Sequence, residues 1–248
     1  MKDISKGYKQ YSKELVESWD EDLINWKKRE EGEGDFFINI LKKNNVKTVL
    51  DISLGTGYDS IKLIKTGFIV KSCDGNKEMI NKAIENADKH KVRLDVKQCE
   101  WSKLVENYNE KFDAIICLGN SFTHLFSEKD RESVINQIYF LLNNNGVLVI
   151  DQRNYDYLLS HDYKSKHKYY YCGNNIKIDI IYRSNNLIKI KYTKKGNGFF
   201  TLDLYPIRIE EMKSLIKKVG FGSIKTYGDF EENFDLDNTD FIQHIAIK

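Results

Sequence analysis

The chain has 248 residues, of which 41% are hydrophobic and 12% aromatic. This length suits one large domain or one domain with a modest elaboration, and the apolar content is enough for a core, so a mainly disordered chain and a multidomain assembly are excluded. Lys and Arg number 39 and Asp and Glu number 37, which leaves a net charge of +2. A balanced surface offers nucleic acid or an anionic membrane no basic patch, so we expect a small-molecule partner.

The first 23 residues are charged throughout, and no apolar run in the chain approaches the roughly 18–20 residues that span a bilayer. We therefore expect a cytoplasmic protein. The cysteines, Cys73, Cys99, Cys117 and Cys172, are far apart and form no C-x-x-C pair. This spacing argues against a zinc ribbon or a thioredoxin-like motif, so we interpret them as reduced packing residues and expect no metal site.

The first half of the chain alternates between strand-like and helix-like segments. Residues 8–43 have helical character, with Trp19 and Trp26 one heptad apart, which is typical of a helix packed on a core. Strands are predicted at residues 46–53, 68–75, 92–101, 112–119 and 146–151, and helices at residues 58–65, 77–89 and 128–142. Strict alternation predicts βαβ units, and hence an α/β fold with a parallel sheet and helices on both faces.

After residue 151 the pattern changes to aromatic, strand-like stretches at residues 168–172, 176–183, 187–193 and 198–208, separated by turn residues. This pattern predicts a small antiparallel insertion. A helix at residues 209–219 ends before Gly220, and strands at 224–230 and 241–247 follow. We therefore divide the chain into an N-terminal helical segment (1–45), a ligand-binding core (46–154), the insertion (155–207) and a closing helix with strands (208–248).

A glycine-rich turn, DISLGTG at residues 51–57, joins the first strand to a helix. Glycines there let the backbone approach a ligand, but the third small residue of a dinucleotide fingerprint is replaced by Ser60, which disfavours NAD. Asp51 before the turn and Asp74 at the end of the next strand form a pair that resembles the one in class I S-adenosylmethionine-dependent methyltransferases. The Asp74 carboxylate would accept two ribose hydroxyls; the alternative is that Asp74 only forms a turn.

Two later strands end in unusual polar sequences, ICLGNSFTHL at residues 116–125 and DQRNYD at residues 151–156. The carboxyl ends of parallel strands form the ligand crevice of an α/β sheet. Arg153, just past a buried strand, must be matched by an anion. That anion is either an internal carboxylate such as Asp156 or the carboxylate of a substrate.

With these motifs the chain resembles the glycine and glycine/sarcosine N-methyltransferases over nearly its whole length. The matching segments are Trp19, Arg29, EGDFF (33–37), DISLGTG, ICLGNSFTHLF (116–126), DQRNYD, YYYCGNN (169–175), LYPIR (204–208), YGDF (227–230) and DFIQHIAIK (240–248). The microbial glycine/sarcosine branch, which starts betaine synthesis, is more similar than the animal glycine enzyme. The resemblance implies a Rossmann-like class I methyltransferase fold, S-adenosylmethionine as methyl donor, and glycine and sarcosine as acceptors.

The resemblance also implies roles for particular residues. Asn120, Arg153 and Tyr205 match the substrate residues, with Arg153 on the carboxylate. The cofactor residues that it implies are Tyr11, Trp19, Arg29, Ser53, Gly55, Asp74, Glu100, Trp101 and Leu118. Arg29 would reach the methionine carboxylate, Glu100 and Trp101 would line the adenine, and Tyr8 competes with Tyr11 for one role. His124 is interpreted as shaping its loop, with contact to the substrate as the alternative.

The implied reaction is an in-line displacement in which the neutral amine attacks the methyl group, so the protein needs no general base. Glu100 replaces a more usual Asp or Asn, and Asp22 and Asn233 stand where the animal enzyme has tyrosines. These departures leave the number of methylations open. They also leave two other possibilities: a methyltransferase for another small amine or amino acid, and a catalytically silent protein that binds S-adenosylmethionine.

Overall fold

The computed structural model of the protein describes residues 7–17, 19–162, 176–194 and 198–248. The predicted strand at 168–172 lies outside these residues. The larger sheet in the described part consists of β1 (Thr48–Asp51), β2 (Ile69–Asp74), β3 (Asp95–Gln98), β4 (Phe112–Cys117), β5 (Leu142–Arg153), β9 (Ser223–Gly228) and β10 (Phe241–Ile247). All five predicted strands of the first half and both closing strands are therefore present, although β5 begins earlier than expected.

The strands follow the order β3-β2-β1-β4-β5-β10-β9. Strand β1 pairs in parallel with β2 and with β4, whereas β10 runs antiparallel to both of its neighbours, so the sheet is mixed. The chain moves outward from β1 in one direction through β2 and β3 and in the other through β4 and β5. This reversal opens a crevice at the carboxyl ends of β1 and β4, where ligands bind in open α/β sheets.

Helices cover both faces of this sheet. Those in the described part are α1 (Lys13–Glu17), α2 (Trp26–Glu33), α3 (Phe36–Lys43), α4 (Tyr58–Lys65), α5 (Lys77–Lys89), α6 (Leu104–Asn107), α7 (Glu128–Leu141), α8 (Tyr155–Leu158) and α9 (Ile209–Val219). Neighbouring residues of β1 belong to different cores: Val49 packs with α3 and α4, and Leu50 packs with α6, α7 and α9. Burial on both faces explains why the strands have nearly continuous apolar sequences.

A second sheet consists of β6 (Ile176–Ser184), β7 (Leu187–Lys194) and β8 (Phe199–Leu204), all antiparallel with β7 in the centre. It confirms the predicted insertion, but β8 ends at Leu204 and not at 208. Ile190 of β7 and Leu202 of β8 are buried in one cluster with Leu15 and Trp19 of the N-terminal segment. The insertion and the N-terminal segment thus share a core.

The N-terminal segment is helical but broken. Besides α1, α2 and α3, the described residues include a 3-10 turn at Tyr8–Gln10 and a π-helical turn at Trp19–Leu23. The Asn25 side chain accepts a hydrogen bond from the Lys28 amide and starts α2, and Gly34, with φ +53°, ends it. The segment is helical as predicted, but Trp19 and Trp26 lie in separate pieces of it and not on one continuous helix.

Two further expectations concern the cysteines and the membrane. Cys73, Cys99 and Cys117 are buried free thiols, as expected of packing residues, and Cys172 lies outside the described residues. None of the helices within residues 7–162, 176–194 and 198–248 is long and apolar enough to cross a bilayer.

Candidate functional site

A cleft opens at the carboxyl ends of β1, β2 and β4. It measures about 1000 Å³, including open solvent at its mouth. Its lining includes all nine predicted cofactor residues, Tyr11, Trp19, Arg29, Ser53, Gly55, Asp74, Glu100, Trp101 and Leu118. Residues separated by as many as 107 positions along the chain, from Tyr11 to Leu118, are thus brought around one cavity.

The glycine turn between β1 and α4 is held by the buried Asp51. Gly57 has φ +96°, a conformation that favours glycine. Asp51 Oδ1 accepts a hydrogen bond from the Ser53 amide (3.0 Å), and Oδ2 accepts one from Ser60 Oγ (2.7 Å). Burial raises the pKa of Asp51 to about 7. The Ser60 hydroxyl also lies 2.8 Å from Ser72 Oγ, so the residue that argued against a dinucleotide fingerprint ties α4 to the sheet.

Asp74 lies at the end of β2 with its carboxylate facing the turn. Its Oδ2 accepts a hydrogen bond from the Gly55 amide (2.9 Å), and its Oδ1 accepts one from the Asn76 amide (2.8 Å). Burial raises the pKa of Asp74 to about 6, against the lowering effect of these amides. Each carboxylate oxygen can accept more than one hydrogen bond, so the pair has capacity for two further hydroxyl donors.

Arg29 contributes a positive charge to the wall of the cleft. Its Nε donates to Glu33 Oε2 (3.0 Å), and one of its terminal nitrogens donates to Asp59 Oδ1 (2.7 Å). The guanidinium carbon lies 4.2 Å from the centre of the Tyr58 ring. Burial raises the pKa of Glu33, while the charge of Arg29 opposes that change. These contacts fix the orientation of a buried cation beside the cleft.

Tyr8 and Tyr11, which the sequence left as competitors, both line the cleft but at different places. The Tyr8 hydroxyl donates to Glu100 Oε1 (2.6 Å). The Tyr11 hydroxyl shares a 2.8 Å hydrogen bond with Nε2 of His124, and its ring packs edge-on against Trp19. Tyr8 therefore contacts the predicted adenine wall, whereas Tyr11 contacts Trp19 and His124.

The floor of the cleft joins β1 to β4. Ser53 Oγ accepts a hydrogen bond from the Leu118 amide (2.8 Å) and donates one to the Leu118 carbonyl (3.1 Å). Trp101 Nε1 donates to the Ile52 carbonyl (2.5 Å). His124 also lines the cleft, and burial lowers its pKa to about 4, so its imidazole is neutral at pH 7.

The three predicted substrate residues are absent from the described lining of this cleft, but two of them contact each other. Asn120 adopts a left-handed conformation, with φ +62°, between the lining residues Gly119 and Ser121. Its Oδ1 accepts a hydrogen bond from the Arg153 amide (2.8 Å). Its side chain also bonds to the Tyr155 hydroxyl (3.0 Å). Asn120 thus lies between the cleft and the end of β5.

Arg153 is almost fully buried, with 1% of its surface exposed, and its guanidinium carbon lies 5.1 Å from the centre of the Phe241 ring. Asp156, the alternative internal partner, has another role: its Oδ2 accepts a hydrogen bond from the Ile209 amide (2.9 Å) at the start of α9. One oxygen of this carboxylate is thereby committed to a helix N-terminus.

Tyr205 is held by contacts with Glu211 and Arg131. Its hydroxyl donates to Glu211 Oε1 (3.0 Å), and the Arg131 guanidinium carbon lies 3.8 Å from its ring centre. Arg131 also pairs with Glu211 at 3.0 Å. The structure therefore holds Tyr205 between an arginine and a carboxylate that the sequence did not identify.

Known proteins similar to this chain include methyltransferases. A methyltransferase-domain family model matches residues 43–220. A glycine/sarcosine N-methyltransferase from Aphanothece halophytica is 44% identical over the whole chain and 93% of its own length. This chain belongs to the glycine/sarcosine N-methyltransferase family.

More distant comparisons agree with this placement. The rat glycine N-methyltransferase is 30% identical over 79% of the chain and 77% of its own length, so the microbial member of the family is the more similar of the two, as expected. A solved S-adenosylmethionine-dependent methyltransferase from Clostridium acetobutylicum superposes with a TM-score of 0.72. It covers 94% of this chain and 97% of its own at 18% identity, which shows that the two share the class I methyltransferase fold.

The sequence analysis did not identify Asp20, which contacts the glycine turn. Asp20 accepts hydrogen bonds from Thr56 Oγ1 (2.6 Å), Asn86 Nδ2 (2.6 Å) and Trp26 Nε1 (3.1 Å), so it ties the N-terminal segment to the glycine turn. No spacing rule marks a lone Asp with partners so distant in the chain. Of the two departures from the animal enzyme, Asn233 is exposed, and the side chain of Asp22 lies outside the described atoms.

Within the described residues, no group of three or more His, Cys, Asp or Glu side chains is arranged to hold a metal ion.

Proposed function

We propose that this protein transfers methyl groups from S-adenosylmethionine to the amine of glycine and then of sarcosine, the opening steps of betaine synthesis. The observation that carries the proposal is the convergence of the nine predicted cofactor residues on one cleft, in a chain 44% identical throughout to a glycine/sarcosine N-methyltransferase. The boundaries at residues 45, 154 and 207 and a cytoplasmic location remain predictions.

The cleft has the chemistry that S-adenosylmethionine requires. S-adenosylmethionine supplies a methyl group already activated on a sulfonium. Asp74, whose two oxygens each accept one backbone amide, would accept the two ribose hydroxyls with its remaining lone pairs. Arg29 would bind the methionine carboxylate, and Glu100 and Trp101 would line the adenine. The buried cation and the half-buried carboxylate lie on the same cleft, which is the charge arrangement that this ligand needs.

On the substrate side, Arg153 would bind the carboxylate of the amino acid in a bidentate pair. Arg153 ends β5, and its amide is bonded to Asn120 beside the cleft, a placement that supports this role. Asn120 is bonded to the Arg153 amide at 2.8 Å and adjoins the cleft, so it links the carboxylate site to the methyl group. Tyr205 would complete the substrate side, held in place by Glu211 and Arg131.

The chemical step is a displacement at carbon. The neutral amine forms the new N–C bond, the C–S bond breaks, and its electron pair stays on sulfur. The amine proton that is displaced goes to water. The protein's contribution is alignment, which can be worth several kcal/mol. Because the amine proton goes to water, the reaction needs no base from the protein. The neutral imidazole of His124 is instead hydrogen-bonded to the Tyr11 hydroxyl.

A labelled-methyl assay tests this proposal with four acceptors: glycine, sarcosine, dimethylglycine and ethanolamine, which lacks a carboxylate. We expect label in glycine and sarcosine, and a kcat/KM for ethanolamine at least about 100-fold lower. Equal efficiency with ethanolamine would contradict the carboxylate site. Binding of S-adenosylhomocysteine without label in any acceptor would favour a silent cofactor-binding protein.

A further inference from the structure

Residues 7–11, here called the strap, form part of the cleft wall and contact both sides of it. Gly7, Tyr8 and Tyr11 line the cleft. On one side the Tyr8 hydroxyl bonds to Glu100. On the other side Gln10 Oε1 accepts from the Asp203 amide (2.7 Å) and Gln10 Nε2 donates to the Asp203 carbonyl (3.0 Å). The strap therefore bridges the cofactor side of the cleft and the small sheet.

Asn76 is the residue that fastens the strap to the cofactor side. It is buried, and its Nδ2 donates to the carbonyls of Tyr8 (2.9 Å) and Tyr11 (3.0 Å). Its Oδ1 accepts from the amides of Glu78 (2.8 Å) and Met79 (3.1 Å) and so caps α5. Both donors and both acceptor sites of the amide are used, which fixes its orientation without ambiguity.

A second contact holds the strap against the turn formed by Asp74, Gly75 and Asn76. The Tyr8 ring lies so close to Gly75 that a Cβ there would be 2.4 Å from Tyr8 Cδ1. On either side of Gly75 are Asp74, the proposed ribose carboxylate, and Asn76. The turn that would hold the ribose therefore also holds the strap, through one ring contact and two hydrogen bonds to backbone carbonyls.

We propose that Asn76 is a positioning residue that latches the strap against the cleft and thereby slows the release of the bound cofactor. The proposal rests on the proposed function, because it takes the cleft as the cofactor site. Tyr8 and Tyr11 are wall residues, so loosening the strap removes one wall of the cavity. The competing explanation is that Asn76 only caps α5.

The variant Asn76→Ser separates the two roles. Serine is a good N-cap residue, so it preserves the acceptor for α5, but it has no amide to reach the strap carbonyls. The variant Asn76→Ala removes both roles and serves as the matched comparison. Displacement of S-adenosylhomocysteine in stopped flow gives the dissociation rate. Mass spectrometry after brief trypsin treatment gives the rate of cleavage after Lys9, in the strap.

For Asn76→Ser we expect the dissociation rate of S-adenosylhomocysteine to rise about 10-fold or more. We also expect faster cleavage after Lys9 and a Tm within about 2 °C of the wild type, whereas Asn76→Ala should lower the Tm further. The double variant Asn76→Ser with Gln10→Ala should raise the dissociation rate by less than the product of the two single increases, since either change frees the same strap.

A wild-type dissociation rate together with wild-type cleavage after Lys9 in Asn76→Ser would overturn the latch. Fully multiplicative effects of Gln10→Ala and Asn76→Ser would also count against it. Failure of the cofactor assignment on which the proposal rests looks different: the wild-type protein would not bind S-adenosylhomocysteine at all. In that case the cleavage rates of the ligand-free proteins still test whether Asn76 holds the strap.

Discussion

Asp74→Ala is the change that bears most directly on the cofactor site. A hydrogen bond to a charged acceptor is worth roughly 1.5–3 kcal/mol, so two ribose hydroxyls would contribute about 3–6 kcal/mol, or about two to four decades of affinity. Asp74 is half-buried, which places the expected loss in the lower part of that range. Isothermal titration with S-adenosylhomocysteine measures it.

The structure adds a complication to this experiment. Asp74 also accepts hydrogen bonds from the amides of Gly55 and Asn76, so alanine would loosen the glycine turn as well. A cycle with the 2′-deoxy form of S-adenosylhomocysteine separates the two effects. Loss of the hydroxyl should weaken binding to the wild type by about 10-fold or more and should barely affect the variant. An equal weakening in both proteins would refute the ribose role of Asp74.

Three other predictions concern the substrate side and the core. Arg153→Lys keeps the charge but loses the planar pair of donors, so kcat/KM for glycine should fall more than about 100-fold with cofactor affinity unchanged; an equal loss with ethanolamine would contradict the carboxylate role. Because the pKa of His124 is lowered to about 4, the rate at subsaturating glycine should climb from neutral pH toward the pKa of the amine itself, without a histidine limb. A plateau near neutral pH that disappears in His124→Ala would show that His124 acts in catalysis. Ser60→Ala removes a hydroxyl from the buried Asp51 and should cost about 1–3 kcal/mol in urea unfolding. That cost should be larger above the Asp51 pKa of about 7, where the carboxylate is charged, and equal costs on both sides of that pH would argue against this account.

The sheet and its glycine turn could be predicted because their signals are local. Alternating strands and helices recur within a few tens of residues, and the helices at Tyr58–Lys65, Lys77–Lys89 and Ile209–Val219 have the predicted bounds. The convergence of the nine predicted cofactor residues on one cleft could also be anticipated, because the resemblance supplied motifs from several elements.

The N-terminal segment could not be predicted in the same way. Helix α2 buries Arg29 and Glu33, which are charged, because Arg29 pairs with Asp59 and Lys62 pairs with Glu33. Because these buried residues are charged and their partners lie about 30 residues away, the segment has no hydrophobic periodicity from which its burial could be predicted. The contacts of Asp20 and Arg131 are long-range in the same sense.

The central claim is methyl transfer to the nitrogen of an amino acid, and a single-turnover experiment tests it most directly. Stoichiometric protein is mixed with S-adenosylmethionine carrying a ¹³C-labelled methyl group and with glycine, and the label is followed by NMR. We predict that the methyl resonance of the donor is replaced by that of N-methylglycine. Retention of the label on the donor, with S-adenosylhomocysteine binding intact, would contradict the claim.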